Sequence, residues 1–282
     1  MDRNAPAGGD ASGLAARGAI QRESMFVRRL GSTLFWLFLV VSSILLFPVA
    51  LLIWAVTVLF DRRLVALHQF TCFWASLYSW LNPVWRVRIE GREKIAPDVA
   101  YVMVVNHQSL LDILVLFRLF THFKWVSKIE NFRVVFVGWN MSLNRYIKLR
   151  RGDKDSVGQM MAACEQTLAE GSSIMMFPEG TRSADGRLKA FKHGAFTLAQ
   201  RMRVPILPIV IEGTAAALPK RGFLLQGRHA IRIRVLDAIP CARFANLSVE
   251  TLTEEVRNIF AVELGECDAD APVVAHAGAR PA

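Results

Sequence analysis

The sequence predicts an α/β domain in which helices flank a mixed β-sheet, preceded by a hydrophobic helical membrane anchor. Over residues 86–265, short apolar or alternating runs typical of strands are interleaved with longer amphipathic runs typical of helices. No charged residue occurs from residue 31 to residue 60. The mean hydropathy of +0.30 and the hydrophobic content of 53% are too high for an ordinary water-soluble domain and indicate attachment to a membrane.

The chain also carries a strong positive charge. The formal net charge of +10 and the pI near 9.9 favour an anionic partner, which can be nucleic acid, an anionic membrane face or a phosphorylated substrate. Lys and Arg residues are dispersed rather than concentrated in one arm or recognition helix, which argues against nucleic acid. We therefore expect a lipid bilayer as a partner and no nucleic acid.

The cysteines show no metal-binding pattern. No CxxC motif occurs, and no histidine stands at zinc spacing from Cys72, Cys164, Cys241 or Cys267. We expect free thiols in a reducing compartment and no metal site.

The N-terminal region divides into two segments. Residues 1–24 are rich in Ala, Gly and Arg with little apolar pattern, which predicts a disordered tail, and residues 25–85 predict membrane-anchoring helices. As one helix, residues 31–60 would be about 45 Å long, against a hydrocarbon core of about 30 Å. Pro48 can break or kink such a helix, and basic residues flank it on both sides. A re-entrant hairpin with both ends on one membrane face is slightly favoured over a tilted single span.

A second helix is predicted at residues 67–84, where apolar side chains recur at spacings of three and four. Two interpretations stay open for it: an interfacial helix lying against the bilayer, or an ordinary core helix. The residues on its apolar face are Leu67, Phe70, Trp74, Leu77, Leu81 and Val84.

The remaining elements are predicted to form one α/β domain at residues 86–265. The strongly apolar runs at residues 173–177 and 204–211 predict central strands, although Pro205 and Pro208 place the second of them near an edge or a bulge of the sheet. A disordered tail is predicted at residues 266–282. Strands are predicted at residues 85–90, 99–105, 123–127, 146–149, 173–177, 204–211 and 231–235, and helices at residues 110–120, 153–170 and 248–264.

A histidine and an aspartate stand where the second strand gives way to a helix. On one continuous helix, residues five apart lie roughly 140° from each other around the axis, so His107 and Asp112 could not meet. They can meet if His107 lies in the turn before the helix and Asp112 in its first turn. Asp112 would then hold one imidazole nitrogen and leave the other as a general base. The nucleophile would be a hydroxyl group of the substrate.

A second motif, Phe177-Pro-Glu-Gly-Thr-Arg182-Ser, follows the strand predicted at residues 173–177. Gly180 permits a tight turn with backbone amides facing a ligand, and Arg182 is suited to hold a phosphate by two hydrogen bonds. In isolation, the heptad is equally well interpreted as a turn with a surface ion pair between Glu179 and Arg182.

Together, these blocks resemble the PlsC-like glycerolipid acyltransferase family, the 1-acylglycerol-3-phosphate acyltransferases. The resemblance covers residues 86–240 and is carried by Asn106-His107-x4-Asp112, by the Phe177 heptad and by Val204-Pro-Ile-Leu-Pro208, in the family's order. It implies that His107 is the general base and that Asp112 orients it. Lys128, Arg151, Glu179, Gly180, Thr181 and Arg182 are implied to form the acceptor site, with Arg182 on the phosphate.

The middle block departs from the family's pattern. Lys128, Glu130, Gly138 and Arg151 fit it, whereas three residues replace the proline, glycine and aspartate that are usual there: Val135, Arg145 and Arg150. These departures put the acceptor head group in doubt.

The function implied by the resemblance is transfer of a fatty acyl group to the sn-2 hydroxyl of 1-acylglycerol 3-phosphate, giving phosphatidic acid. The donor would be acyl-CoA or acyl-carrier protein, with no further cofactor. An alternative is acylation of another lysolipid, such as a lyso-ornithine lipid. A non-catalytic lipid-binding module is a different class, but a mere binder has no use for a base at His107. We expect the active site on the cytoplasmic face of the cytoplasmic membrane.

Overall fold

The structure, a computed structural model, describes residues 11–183, 186–220 and 222–266, and for residues 11–24 it describes the backbone alone. Within them the strands form one mixed sheet in the order β1-β7-β6-β2-β5-β3-β4, in which β6 and β7 pair antiparallel and the other neighbours pair parallel. The predicted mixed sheet is confirmed. The strands are β1 (Trp85–Glu90), β2 (Val102–Val105), β3 (Phe123–Lys128), β4 (Ile147–Leu149), β5 (Ser173–Met176), β6 (Ile206–Glu212) and β7 (His229–Val235).

Helices cover both faces of this sheet. Two of the longer ones begin at a side-chain cap that accepts a backbone N–H: Asp153 at α5 and Ser248 at α9. The helices are α1 (Ala11–Thr57), α2 (Val65–Trp80), α3 (Leu111–Leu116), α4 (Val137–Leu143), α5 (Lys154–Ala169), α6 (Gly194–Met202), α7 (Thr214–Ala217), α8 (Cys241–Phe244) and α9 (Val249–Glu263).

The predicted hairpin at residues 31–60 is wrong. α1 continues through Pro48 as one helix as far as Thr57, because a proline removes one backbone hydrogen bond and can bend a helix without ending it. Helix α1 begins at Ala11, within the stretch for which a disordered tail is predicted. Residues 1–10, and residues 267–282 of the predicted C-terminal tail, lie outside the described residues.

Helix α2 is a core helix, the second of the two interpretations. It lies between α1 and one face of the sheet, and its buried residues include the polar His68, Ser76 and Ser79, which the predicted apolar face did not contain. His68 satisfies both ring nitrogens there, with the Tyr146 hydroxyl at 2.9 Å and the Thr121 carbonyl at 3.0 Å. Leu81, predicted to lie on the apolar face, is 63% exposed.

Strand β6 lies inside the sheet between β7 and β2, as its apolar run predicts, and not at the edge that its prolines gave as one alternative. Pro205 precedes the strand, and its carbonyl accepts the Val102 N–H. Pro208 stands just before the antiparallel ladder with β7, which begins at Ile209, and its carbonyl accepts the Leu236 N–H. Both prolines therefore contribute acceptors where an N–H donor is not needed.

The buried strands position the functional site. Every residue of β2 and β5 is buried, as expected for parallel strands covered on both faces. Alternate residues contribute to two apolar clusters, one shared with α1 to α3 and the other with α5, α6 and α9. Because β2 and β5 are parallel neighbours, the polar segments after Val105 and Met176 emerge side by side at one edge of the sheet.

Candidate active site

The site begins at the end of β2, where Asn106 fixes the chain to β6. Its side-chain amide donates to the Ile211 carbonyl at 2.9 Å and accepts the Ile211 N–H at 2.8 Å. This pair of bonds extends the ladder between β2 and β6 by one step through a side chain. The next residue, His107, is therefore presented at a fixed position at the sheet edge.

His107 and Asp112 lie in contact, as their spacing predicted. The Nδ1 atom of His107 is 2.8 Å from Oδ2 of Asp112, with His107 in the turn after β2 and Asp112 in the first turn of α3. Oδ2 also accepts the backbone N–H groups of Gln108, at 2.7 Å, and Ser109, at 2.8 Å. With the carboxylate acting only as an acceptor, His107 donates from Nδ1, and Nε2 keeps its lone pair.

An aromatic stack holds the imidazole ring in place. The Phe177 ring lies parallel to the His107 ring, with centroids 3.8 Å apart and an angle of 11° between the planes. Trp125 in turn stacks with Phe177, with ring centroids 5.3 Å apart. The sequence analysis placed Phe177 in a motif but missed this role, because the contact joins two strands 70 residues apart and leaves no local pattern.

Glu179 supports the backbone of His107. Its Oε1 atom accepts the His107 N–H at 2.7 Å, and the Ser183 N–H donates to the His107 carbonyl at 2.8 Å. The second motif therefore forms hydrogen bonds with both the N–H and the carbonyl of His107. Glu179 is 4% exposed. Burial raises the pKa of its carboxyl to about 7, against the opposing effect of the His107 and Lys189 amides.

The rest of the second motif forms a tight turn. The Gly180 N–H donates to the Phe177 carbonyl at 3.0 Å, with Pro178 at the second position of the turn. Gly180 has a φ of 70°, a conformation that glycine adopts without strain. Thr181 and Arg182 are half-buried, and the Arg182 carbonyl accepts the Lys220 ammonium at 2.7 Å.

A mainly apolar cavity of about 350 Å³ opens beside His107. Lys128 and Arg151, both predicted for the acceptor site, lie on its wall, whereas Glu179, Gly180, Thr181 and Arg182 do not. Lys128 also forms an ion pair with Glu130 at 3.1 Å. The apolar wall comes from α1 to α4 and from the sheet and includes Trp36, Leu39, Trp74, Tyr78, Leu114, Phe117, Trp125, Val134, Met141 and Phe177.

The structure therefore divides the predicted site residues into two groups. His107, Asp112, Lys128 and Arg151 surround or support the cavity, and the Phe177 heptad holds His107 through the Phe177 ring and through hydrogen bonds to the His107 backbone. Among the described residues, no group of three His, Cys, Asp or Glu side chains is arranged to hold a metal ion.

Comparisons with known proteins agree with this geometry. A family model described as Acyltransferase matches residues 86–212. A 1-acyl-sn-glycerol-3-phosphate acyltransferase of Chlamydomonas reinhardtii is 36% identical over 233 residues, which is 81% of this chain and 67% of the relative. A chloroplastic protein of the same name from Brassica napus is 34% identical over 235 residues, which is 83% of this chain and 66% of the relative.

A third such relative, from Arabidopsis thaliana, is 38% identical over 200 residues, which is 70% of this chain and 54% of the relative. The chain thus spans between half and two thirds of the length of these curated relatives. Among solved structures, the 1-acyl-sn-glycerophosphate acyltransferase of Thermotoga maritima superposes with a TM-score of 0.70. It is 23% identical, and the match covers 87% of this chain and 99% of the other, which establishes a shared fold.

The raised pKa of Glu179 predicts a pH-dependent stability. Since the folded state holds the proton up to about pH 7 and the unfolded state releases it near pH 4.5, the folded state binds more protons between these values. Raising the pH through this window should therefore lower the free energy of unfolding, by on the order of 1 to 3 kcal/mol. Glu179→Gln should lack this component. Denaturant unfolding of the wild type and of Glu179→Gln between about pH 4.5 and pH 7 measures this component. If the free energies of unfolding of the two proteins change with pH in parallel, the raised pKa of Glu179 is contradicted.

Proposed function

Since the chain belongs to the acyltransferase family, we propose that it transfers a fatty acyl group from a thioester donor to the free sn-2 hydroxyl of 1-acylglycerol 3-phosphate. The product would be phosphatidic acid, and the donor acyl-CoA or acyl-carrier protein. The observation that carries the proposal is the 2.8 Å contact between His107 and Asp112 beside an apolar cavity that also contains Lys128 and Arg151. The names of the relatives support the same substrate.

In the proposed reaction, His107 acts as a general base. Its Nε2 atom removes the proton from the acceptor hydroxyl as the oxygen attacks the thioester carbonyl carbon. The buried Asp112 stabilises the imidazolium that results, through Nδ1. When the tetrahedral intermediate collapses, the C–S bond breaks and the departing thiolate takes the proton back from Nε2. The acyl group passes directly to the acceptor, so no residue of the chain needs to carry it.

The cavity supports a lipid substrate. Its wall is largely aliphatic and aromatic, which suits an acyl chain, and the cationic side chains of Lys128 and Arg151 suit the phosphate of the acceptor. Thr181 and Arg182, with Glu179 and Gly180, remain proposed acceptor residues on the strength of the family resemblance. Glu179 reaches the reaction only through the backbone of His107.

The alternative of another lysolipid acceptor, such as a lyso-ornithine lipid, was motivated by Val135, Arg145 and Arg150. None of these three residues lies on the wall of the cavity beside His107. The departures from the family pattern therefore do not change the described surface that would meet the head group, which favours 1-acylglycerol 3-phosphate.

We further propose that α1 attaches the enzyme to one face of the membrane without crossing it. Residues 25–57 form the one described helix that is long and apolar enough to span a bilayer, and 17% of its most apolar window is buried. However, α1 contacts the globular domain along its length: Trp36 donates to the Phe223 carbonyl at 2.7 Å, Ser42 meets the Tyr78 hydroxyl at 2.9 Å, and Phe47 packs on Trp139.

Just beyond α1, Arg63 donates to the Gly171 carbonyl at 3.0 Å. A helix that crossed the bilayer would pull this domain, with its charged surface, into the hydrocarbon. Lying in the plane of the interface, α1 presents its exposed apolar side chains to lipid. The proposed location is the cytoplasmic face of the cytoplasmic membrane.

His107→Ala should lower turnover about a hundred- to ten-thousand-fold, the usual effect of removing a positioned base. Asp112→Asn should lower it by a similar factor, because the imidazolium loses its carboxylate. Transfer of a labelled acyl group from acyl-CoA to lysophosphatidic acid measures both, with acyl-carrier-protein donors and lyso-aminolipid acceptors tested next. His193→Ala is the matched control, since His193 bonds to Thr253 away from the cavity. Wild-type turnover in His107→Ala would contradict the mechanism.

Lys128→Gln and Arg151→Gln should each raise the acceptor KM by about tenfold with a smaller change in kcat, because a charge-assisted hydrogen bond to phosphate is lost. Arg182→Ala should act in the same direction if it holds the phosphate. Steady-state kinetics with lysophosphatidic acid give both constants, and the exposed Arg243→Gln serves as a charge-matched control. An unchanged acceptor KM removes the residue concerned from the phosphate site.

The two ends of the apolar stretch of α1, at Arg29 and just beyond the helix at Arg62, should be accessible from the same side of a membrane. Single cysteines introduced as Arg29→Cys and Arg62→Cys, in a background without the native cysteines, should both react with a membrane-impermeant maleimide from the same face of sealed vesicles. Labelling from opposite faces would show a spanning helix and refute the in-plane attachment.

A further inference from the structure

A second cavity, of about 460 Å³, lies at the opposite edge of the sheet from His107. It is enclosed by the edge strand β4, by one face of α5 and by the segment that links α1 to α2, and we call it the linker cavity. On β3, Lys124 points into the linker cavity. The adjacent Trp125 points to the other face of the sheet, where it lines the apolar cavity beside His107. The two cavities are thus separate, although Tyr146 touches both.

The linker cavity is strongly cationic. Five basic residues lie on its wall, with Glu170 as the acidic residue among those described there: Arg62, Arg63, Lys124, Arg145 and Lys148. Asp61 lies close enough to favour the charged form of Lys124. Five cations against one wall carboxylate leave a net positive charge in a concave site, which is an arrangement that attracts an anion.

Lys124 is unusual for a lysine because it is 4% exposed. Its ammonium donates to the carbonyls of Arg63, at 2.7 Å, and Asn144, at 2.9 Å, which uses two of its three protons. Burial lowers its pKa to about 7, so that a neighbouring anion would strengthen the charged form.

The backbone of Arg145 has a left-handed conformation that is unfavourable for residues other than glycine. It follows the C-cap of α4 with a φ of 53°, the left-handed position that helices most often give to glycine. Its guanidinium nevertheless reaches back over the linker, with Nη1 at 3.4 Å from the Arg62 carbonyl. A strained arginine at a position suited to glycine points to a use for its side chain.

The position of the cavity indicates where its ligand comes from. Leu59 and Phe60, immediately before the cationic linker, are 88% and 73% exposed. In the proposed in-plane attachment these two side chains enter the hydrocarbon, which places Arg62 and Arg63 at the level of the lipid head groups.

We propose that the linker cavity binds the phosphate group of an anionic phospholipid, with Arg62, Arg63, Lys124 and Arg145 as its donors. The site is separate from acyl transfer at His107 and goes beyond it. The ligand is a phospholipid of the membrane surface on which the enzyme works. The linker cavity holds this lipid at the C-terminal end of α1, away from the cavity beside His107.

The test uses the full chain and a matched pair of double variants. Arg62→Gln with Arg145→Gly removes two donors of the cavity, and glycine at position 145 relieves the backbone strain, so folding should be retained. Arg28→Gln with Arg29→Gln removes the same charge at the N-terminal end of the apolar stretch of α1. The measurement is co-sedimentation with vesicles of phosphatidylcholine, with and without phosphatidylglycerol.

General attraction to an anionic surface contributes about fivefold per basic residue and acts on both pairs alike. We expect the cavity pair to lose at least about tenfold more of the phosphatidylglycerol-dependent binding than the flank pair, because it also loses directed bonds to phosphate. Equal losses in the two pairs would overturn the proposal.

A second arm separates lipid phosphate from free phosphate. Inorganic phosphate is added at constant ionic strength, and thermal stability is recorded for the wild type and the cavity pair. Stabilisation that needs the cavity residues, without any difference in vesicle binding, would assign the site to free phosphate and overturn the lipid source. Acyl transfer in detergent should be unchanged in the cavity pair, so failure of this proposal is distinguishable from failure of the proposed reaction.

Discussion

The carboxylate of Asp112 is a fully buried acidic group, and one of its oxygens accepts three hydrogen bonds, from the His107 ring and from the amides of Gln108 and Ser109. A carboxylate can be buried at acceptable cost only when such donors replace water. The two amides are available because the chain turns sharply between β2 and α3. The turn, the start of the helix and the orientation of the imidazole therefore depend on this one oxygen.

The neighbouring strands hold that turn from outside. Asn106 joins the end of β2 to β6 through two backbone bonds, and the segment after β5 grips both the N–H and the carbonyl of His107 through Glu179 and Ser183. Since β2 lies between β5 and β6 in the sheet, both neighbours are required. The second motif, whose residues the family resemblance assigns to the acceptor, thus also has a structural function in holding His107.

The sequence is informative where a pattern is local. The buried strands were visible as apolar runs, and the contact between His107 and Asp112 followed from helix geometry, because a spacing of five excludes a shared helix. The stack of Phe177 on His107 could not be predicted, since it depends on how two strands are paired across the sheet. The differences between prediction and structure arise where a residue depends on several elements at once. The buried face of α2 depends on two packing partners. Strand β6 can lie inside the sheet because the carbonyls of Pro205 and Pro208 accept hydrogen bonds from neighbouring segments.

Helix α1 carries many exposed apolar side chains and, through Trp36 and Leu39, also forms part of the wall of the cavity beside His107. Helix α1 is therefore an integral part of the folded domain. A shortened protein made soluble by deleting this helix would have the cavity beside His107 open along one side. Any selection for a faster, water-soluble version of this enzyme must first rebuild that missing wall.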